Sequence, residues 1–415
     1  MVDDVSATLI SLAEHLSREL YPEKRPGRAD FDPSLGRDWG FDSLARAELL
    51  LRVSRSFGVD LPERLLSEAE TLRDILDALP EVTRERPPAM APPPVAAPKG
   101  VEPAPEEVPT LTEALDWHVD RHGGRDRLVI ESDEGDEHLT YQGLAAGARR
   151  VAWGLRRSDV SPGDCVAIML PTGQDFSQAF YGALYAGAVP VPIYPPARPA
   201  QIGEHLRRQA GILRNAGAVI LIADDAAQPL ARLLGMQVPS LRNVRTVAAL
   251  AGADSGPLPK RTASDTALIQ YTSGSTGDPK EVVLSHANLF ANIRAMGAVI
   301  RPTASDVFVS WLPLYHDMGL IDAWLGSLHY GVPLIVMSPQ RFLLRPEHWL
   351  WAIHRYRGTL AAAPNFAFEL CLRKIDDEAL NGLDLGSLRM LANGAASVSP
   401  MTIRRFTERF APCGF

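Results

Sequence analysis

Nine prolines between Pro87 and Pro109 constrain this chain more than any other feature. Interleaved with Ala, Glu and Val, they remove backbone donors and favour an extended, semi-rigid path. Residues 83–108 therefore read as a Pro/Ala-rich linker. At 415 residues the chain is too long for one core, and the linker divides it into residues 1–82 and 109–415.

The first part is expected to be a small helical bundle. Val5, Leu9, Leu12, Leu16 and Leu20 recur at steps of three and four, which is one face of a helix. A second helix starts near Asp42 and presents Leu44, Ala47 and Leu51. Thr71 with Asp74 three residues on is a capping-box signature, followed by Leu72, Ile75, Leu76 and Leu79 as a buried face.

Beyond the linker the period changes. Short apolar runs at Leu128–Ile130, Val166–Leu170, Ala218–Ala223 and Gly331–Met337 read as buried strands. Amphipathic stretches at Tyr141–Leu155 and Gly203–Ala216 read as helices between them. That alternation predicts an α/β domain with a largely parallel sheet. The expected fold is thus multidomain, a helical bundle followed by an α/β domain.

Residues 1–80 hold 16 Asp+Glu against 10 Lys+Arg, so most of the net charge of −8 sits there. Nucleic-acid binders show the opposite sign; an acidic helical domain suits basic protein surfaces. Three widely spaced cysteines, Cys165, Cys371 and Cys413, argue for a reducing compartment. No export signal and no run of about 18 apolar residues is visible, so a cytoplasmic location without an integral membrane segment is expected.

Two short segments carry chemistry. In Trp39-Gly-Phe-Asp-Ser-Leu44, Ser43 opens a helix beside Asp42. The pair reads either as a helix cap or as a point of modification, where free N–H groups and the positive dipole end would receive a phosphodiester. In Ala267-Leu-Ile-Gln-Tyr-Thr-Ser-Gly-Ser-Thr-Gly-Asp-Pro-Lys280 a strand leads into Thr272, Ser273, Gly274, Ser275, Thr276 and Gly277. Glycines there let the backbone approach an anion, hydroxyls and N–H groups can surround phosphate oxygens, and Lys280 adds a positive charge. Asp278 and Pro279 separate Gly277 from Lys280, so this is not a Walker loop.

The first segment, with Asp38, Gly40, Phe57-Gly-Val-Asp-Leu-Pro62 and Thr71, resembles the acyl/peptidyl carrier family over about 80 residues. The resemblance implies that Ser43 bears 4′-phosphopantetheine, installed by a phosphopantetheinyl transferase. The second segment resembles the phosphate loop of adenylate-forming enzymes. Leu139–Leu144, Phe180–Pro192 and Leu391–Ala395 extend that resemblance over about residues 109–415. Tyr194-Pro-Pro-Ala-Arg198, Trp311–Leu320, Phe342–Pro346 with Trp349, and Ala363–Cys371 are similar to fatty acyl-AMP ligases in particular.

That resemblance implies ATP and Mg²⁺, a fatty acid activated to acyl-AMP, and transfer to a phosphopantetheine thiol. It places Thr272–Gly277 and Lys280 at the phosphates, His316 beside the reacting carboxylate and phosphate, and Asn393, Gly394 and Ala395 along adenine. Lys280 and His316 are the implied catalytic residues. Tyr315-His-Asp-Met318 stands where amino-acid-activating relatives carry an ammonium-pairing aspartate, which favours an alkyl chain. On residues alone, His316 and Asp317 read as a hydrogen-bonded structural pair, with too few ligands for a zinc site.

Two positions depart from the family: Glu281 replaces the glycine after the lysine, and Ala396 replaces an acidic residue. No resident protein-held metal is expected. The implied partners are downstream polyketide or lipid synthase or acyltransferase modules. The family's segments for ribose, Mg²⁺ and a lysine-bearing subdomain would follow Phe415, so the activating domain is expected to be C-terminally truncated with an unpaired sheet edge. Alternative readings are an acyl-CoA ligase and a carrier module with an inert activating remnant.

Overall fold

The computed structural model describes residues 2–20, 31–36, 38–41, 43–57, 59, 61, 65, 69–79, 95, 99–132, 135–194, 202–252, 256–273, 279–395 and 397–415. Asp42, Gly274–Asp278 and Ala396 lie outside the described residues, as do all of residues 83–94 and Pro195–Arg198. Of Ser43 and Ser273 only the backbone is described.

The amino-terminal part contains helices α1 (Val2–Leu20), α2 (Ser43–Phe57) and α3 (Leu72–Ala78). Leu9, Ala13 and Leu16 of α1 pack against Leu49, Leu50 and Val53 of α2 and Leu72 and Ile75 of α3, all buried. Trp39 and Phe41 stack at 5.8 Å and close the core from the loop before α2. The Thr71–Asp74 capping box forms: the Thr71 hydroxyl accepts from Asp74 N, and the Asp74 carboxylate accepts from Thr71 N at 2.8 Å.

The linker is shorter than its composition suggests. Val95 N donates to Arg355 O, Gly100 N to Ala304 O, Val101 N to Gly331 O and Ala104 N to His329 O. Val101 and Ala104 are buried in the main core. Residues 99–108 thus form a strap on the second domain. The physical reason is that prolines leave the intervening N–H groups free to pair, while Val and Ala between them face an apolar wall.

The second part carries three sheets. One has six strands in the order β12 (Met390–Gly394), β11 (Leu360–Pro364), β9 (Phe308–Ser310), β10 (Leu334–Val336), β1 (Asp126–Ile130) and β2 (Glu137–Thr140). All its pairs are parallel except β1 with β2. The second sheet is wholly parallel, in the order β4 (Val189–Pro192), β3 (Cys165–Met169), β5 (Ile220–Ala223) and β6 (Asn243–Arg245). The third is an antiparallel hairpin of β7 (Thr266–Ser273) and β8 (Pro279–Ser285).

Helices α4 (Leu111–His122), α5 (Tyr141–Arg157) and α6 (Gln174–Tyr185) cover the sheets. A Cβ on Gly182 would lie 2.6 Å from Val151 Cγ1, so the glycine permits the close α5–α6 crossing. Further along are α7 (Ile202–Asn215), α8 (Gln228–Gly235) and α9 (His286–Ile300). A π-helix follows at Met318–Gly326, then α10 (Pro339–Leu344), α11 (Glu347–Arg355), α12 (Asn365–Lys374) and α13 (Pro400–Phe410). Arg127 of β1, fully buried, fixes the end of the π-helix: Nη2 donates to Trp324 O and to Ser327 Oγ, and Nη1 to Val332 O. The last strand, β12, forms one edge of its sheet and is half-buried throughout.

Candidate activation site

The hairpin positions the loop ends. Thr272 pairs with Lys280 and Ser273 with Pro279, so the segment between them is closed by a defined ladder. Lys280 and Thr272 are exposed. Glu281 lies opposite Tyr271. Because side chains alternate along a strand, Glu281 leaves on the face opposite Lys280. Its charge is felt by Tyr271 and Cys165, both of which it helps to push upward in pKa after desolvation.

Beside the hairpin lies a cavity of about 650 Å³, within the range of a small-molecule site. Its polar wall includes Thr272, Gln270, Tyr315, His316 and Arg208; Trp311, Leu312, Leu343 and Phe366 make it apolar elsewhere. Gln270 Nε2 donates to Tyr315 O at 3.3 Å and fixes the turn that carries His316. The His316 ring reaches solvent while its cavity walls desolvate it, and burial with the nearby Arg208 cation holds its pKa below the ordinary histidine value. Asp317 opposes this shift.

The His316–Asp317 hydrogen-bonded pair does not form among the described contacts. Asp317 Oδ1 instead accepts from Met318 N at 2.8 Å and caps the π-helix. The first N–H of a helix is closer and better aligned than the neighbouring ring. Phe366 is 47 % exposed although aromatic, which is intelligible because it faces this cavity. Trp311 is held by Phe342, stacked at 3.9 Å.

A second cavity, about 530 Å³, is lined by Asn288, Asn292, Asp317, Met318, Asp322 and Asn393–Ala395. Ala395 lines both cavities. Asn393 Nδ2 donates to Asn365 Oδ1 at 3.2 Å, and Asn393 Oδ1 is buried with no hydrogen-bond partner among the described residues. Such an acceptor fits an amino group on a ligand. Ala395 has φ of 60°, a left-handed conformation unusual for a residue with a Cβ. Desolvation, then the Asp317 charge, push Asp322 up to about 6.

The structure therefore brings together Thr272, His316 and Ala395 in one cavity and Asn393, Gly394 and Ala395 in the next. Lys280 lines neither and stands at the loop's exit. Ser43 lies far off in sequence, at the first residue of the 15-residue helix α2. Sequence reasoning missed Arg208, Gln270, Phe366 and Asp322. Arg208 lies on α7 beside Arg207, and its guanidinium lies over the Tyr194 ring at 5.8 Å.

Residues 115–414 match the AMP-binding enzyme family, and residues 12–79 match the phosphopantetheine attachment site family. The chain belongs to the AMP-binding enzyme family. Among its relatives is a long-chain-fatty-acid–AMP ligase, FadD26 of Mycobacterium marinum, 38% identical over 66% of this chain and 48% of that protein. Another is JamA of Moorena producens, a medium-chain-fatty-acid–[acyl-carrier-protein] ligase, 34% identical over 67% and 47%. A solved structure from work on the fatty acyl-adenylate ligases of E. coli and L. pneumophila superposes with a TM-score of 0.71. It is 32% identical, over 75% of this chain and 56% of that one. This AMP-binding enzyme thus spans about half the length of the curated relatives it matches. Its carrier and α/β parts follow from the two family matches. Among the described residues no helix is long and apolar enough to cross a membrane.

Proposed function

We propose that the polypeptide to which this chain belongs joins a fatty acid to AMP and passes the acyl group to 4′-phosphopantetheine on Ser43. The observation carrying this reading is the 650 Å³ cavity, with Thr272 and His316 at one wall and Trp311, Leu343 and Phe366 at another. A carboxylate head and an alkyl chain need that division.

In the first step a carboxylate oxygen of the fatty acid bonds to the α-phosphorus of ATP, and the bond to the bridging oxygen breaks to release pyrophosphate. No covalent protein nucleophile is needed. Positioning and neutralisation of phosphate charge suffice. Lys280 and the loop from Thr272 to Gly277 supply donors at the triphosphate. His316, kept neutral by desolvation at pH 7, donates or accepts one hydrogen bond at the carboxylate–phosphate junction. Asn393 Oδ1 accepts from the adenine amino group.

Among the described residues no group of three metal-ligating side chains occurs. Mg²⁺ would bind the substrate phosphates with one or two carboxylates and supply charge neutralisation there. Ser43 would hold the phosphopantetheine arm, whose thiol would supply the acceptor for the acyl group of acyl-AMP, with AMP as the leaving group. A phosphopantetheinyl transferase would prime Ser43, and a synthase or acyltransferase module would consume the thioester, all in the cytoplasm.

The test is fatty-acid-dependent pyrophosphate release by the full-length polypeptide, followed by intact-mass detection of acylated Ser43. Release without any transfer to Ser43, but with acyl-CoA formed from added CoA, would replace this reading by CoA ligation.

A further inference from the structure

The carrier part is seated on the activating part. Leu344, the last residue of α10, is 6 % exposed and belongs to the carrier's apolar core, where α10 packs against α2. Leu343 packs against that same core and also lines the 650 Å³ cavity. Pro339, at the other end of α10, lines the cavity too. A six-residue helix is about 9 Å long, so the carrier body rests within one short helix of the cavity.

A charged contact accompanies the apolar one. Lys374, at the end of α12, has a side chain 3 % exposed, and its Nζ lies 3.3 Å from Glu48 Oε2 on α2. Glu48 Oε1 accepts from Arg52 Nε at 2.9 Å, and Arg52 pairs in turn with Glu19 at 2.6 Å. A buried ammonium needs a carboxylate beside it, and Glu48 of α2 is the one that meets Lys374. Burial opposes ionisation of Glu48, but Lys374 and Arg52 outweigh it and hold its pKa below the usual carboxylate range.

The tether starts at the same place. Val95 N donates to Arg355 O at the end of α11, the helix directly after α10. Fifteen residues separate Leu79, just after α3, from Val95, and such a stretch spans at most about 55 Å. The tether keeps the carrier within that reach of the Val95 anchor, which gives it a high effective concentration there.

We propose that Leu343, Leu344 and Lys374 form a docking surface for the chain's own carrier domain, so that Ser43 is loaded in cis. The inference rests on the activation reading above, and the two are separated by measuring the two half-reactions apart.

The experiment uses the full-length polypeptide primed with phosphopantetheine. Pyrophosphate release reads activation, and intact mass against time reads transfer to Ser43. Wild-type transfer is expected to be first order, independent of protein concentration. Glu48→Lys and Lys374→Glu are each expected to slow transfer about tenfold or more, as for loss of one partner of a desolvated interfacial pair. Pyrophosphate release should be unchanged in both. The double variant Glu48→Lys/Lys374→Glu, with the charges exchanged, is expected to recover most of the rate.

Should Lys374→Glu fail to fold, Glu48→Lys on the half-buried carrier face together with the concentration dependence decides. Transfer that rises in proportion to protein concentration, or that is indifferent to Glu48→Lys, overturns cis docking while leaving activation intact. Absence of pyrophosphate release in the wild type overturns the activation reading instead.

Discussion

Asp306 accepts hydrogen bonds from Nε and Nη2 of Arg389 at 2.7 and 2.8 Å, tying the turn before β9 to the entry of β12. Thr303 N at 2.7 Å and Thr359 Oγ1 at 2.6 Å complete the shell around the carboxylate. The strands on either side of β11 are thereby fastened at one end.

The Asp306 shell predicts a pH-dependent stability. Burial opposes its ionisation, but Arg389, Thr359 and Thr303 outweigh burial and hold its pKa at about 2. A folded pKa below the unfolded value of about 3.9 stabilises above pH 4, and the contribution is lost as pH falls through about 2. Asp306→Asn should therefore lower stability by about 2 kcal/mol at pH 7, with the gap about halved at pH 3. Urea midpoints of both proteins across that range test it; a gap that does not change with pH contradicts the assignment.

Gly319 predicts a coupled loss of stability and activation. A Cβ there would lie 2.3 Å from Pro313 O and 3.0 Å from Leu312 O, both backbone atoms that cannot swing aside. Gly319→Ala must shift the turn that carries His316, at a cost of about 1–3 kcal/mol. We expect a lower thermal midpoint and slower pyrophosphate release in the full-length polypeptide. Wild-type values for both would mean that the turn is looser than described.

Ala395 predicts a gain. Its φ of 60° sets its Cβ against the backbone, a strain of about 1–2 kcal/mol for a residue other than glycine. Gly394, next to it, has a Cβ position 3.5 Å from Met318 Cε and would not clash. Ala395→Gly should relieve the strain and, after the greater chain entropy of glycine, stabilise by about 0.5 kcal/mol. A fall in thermal midpoint would argue that the methyl packs usefully between the two cavities.

Lys280 predicts a nucleotide effect. Exposed and paired across from Thr272, it would meet phosphate rather than another side chain. Lys280→Ala should weaken ATP binding by about 1.5–3 kcal/mol, the range for a charge-assisted hydrogen bond. Calorimetry on the full-length polypeptide measures this, and unaltered affinity would remove Lys280 from the site.

Ser43 predicts a single modification. A phosphopantetheinyl transferase should add one arm to the wild type and none to Ser43→Ala. Intact mass distinguishes these outcomes directly, and an arm retained by Ser43→Ala would move the attachment point elsewhere.

Much of this architecture was legible from local pattern. The apolar faces of α1 and α3, the Thr71–Asp74 box, the strands β1, β3, β5 and β10 and the helices α5 and α7 depend on spacing within a few residues, which the sequence carries directly. The hydroxyl- and glycine-rich stretch is likewise a local signal, and the strand expected before it is β7. Contacts across long separations were not legible. The order β12-β11-β9-β10-β1-β2 places β1 beside a strand about 200 residues away, and only packing selects that neighbour. Nothing local marks Arg127 as the buried anchor of the π-helix, Arg208 and Phe366 as lining one cavity, or residues 99–108 as a strap. Lys374 looks in sequence like an ordinary solvated helix end; it is buried because folding brings the carrier's Glu48 to it. Periodicity and capping act over one or two turns, so they determined the elements, whereas burial and charge pairing act through space, and the tertiary structure alone decided which residues share a site.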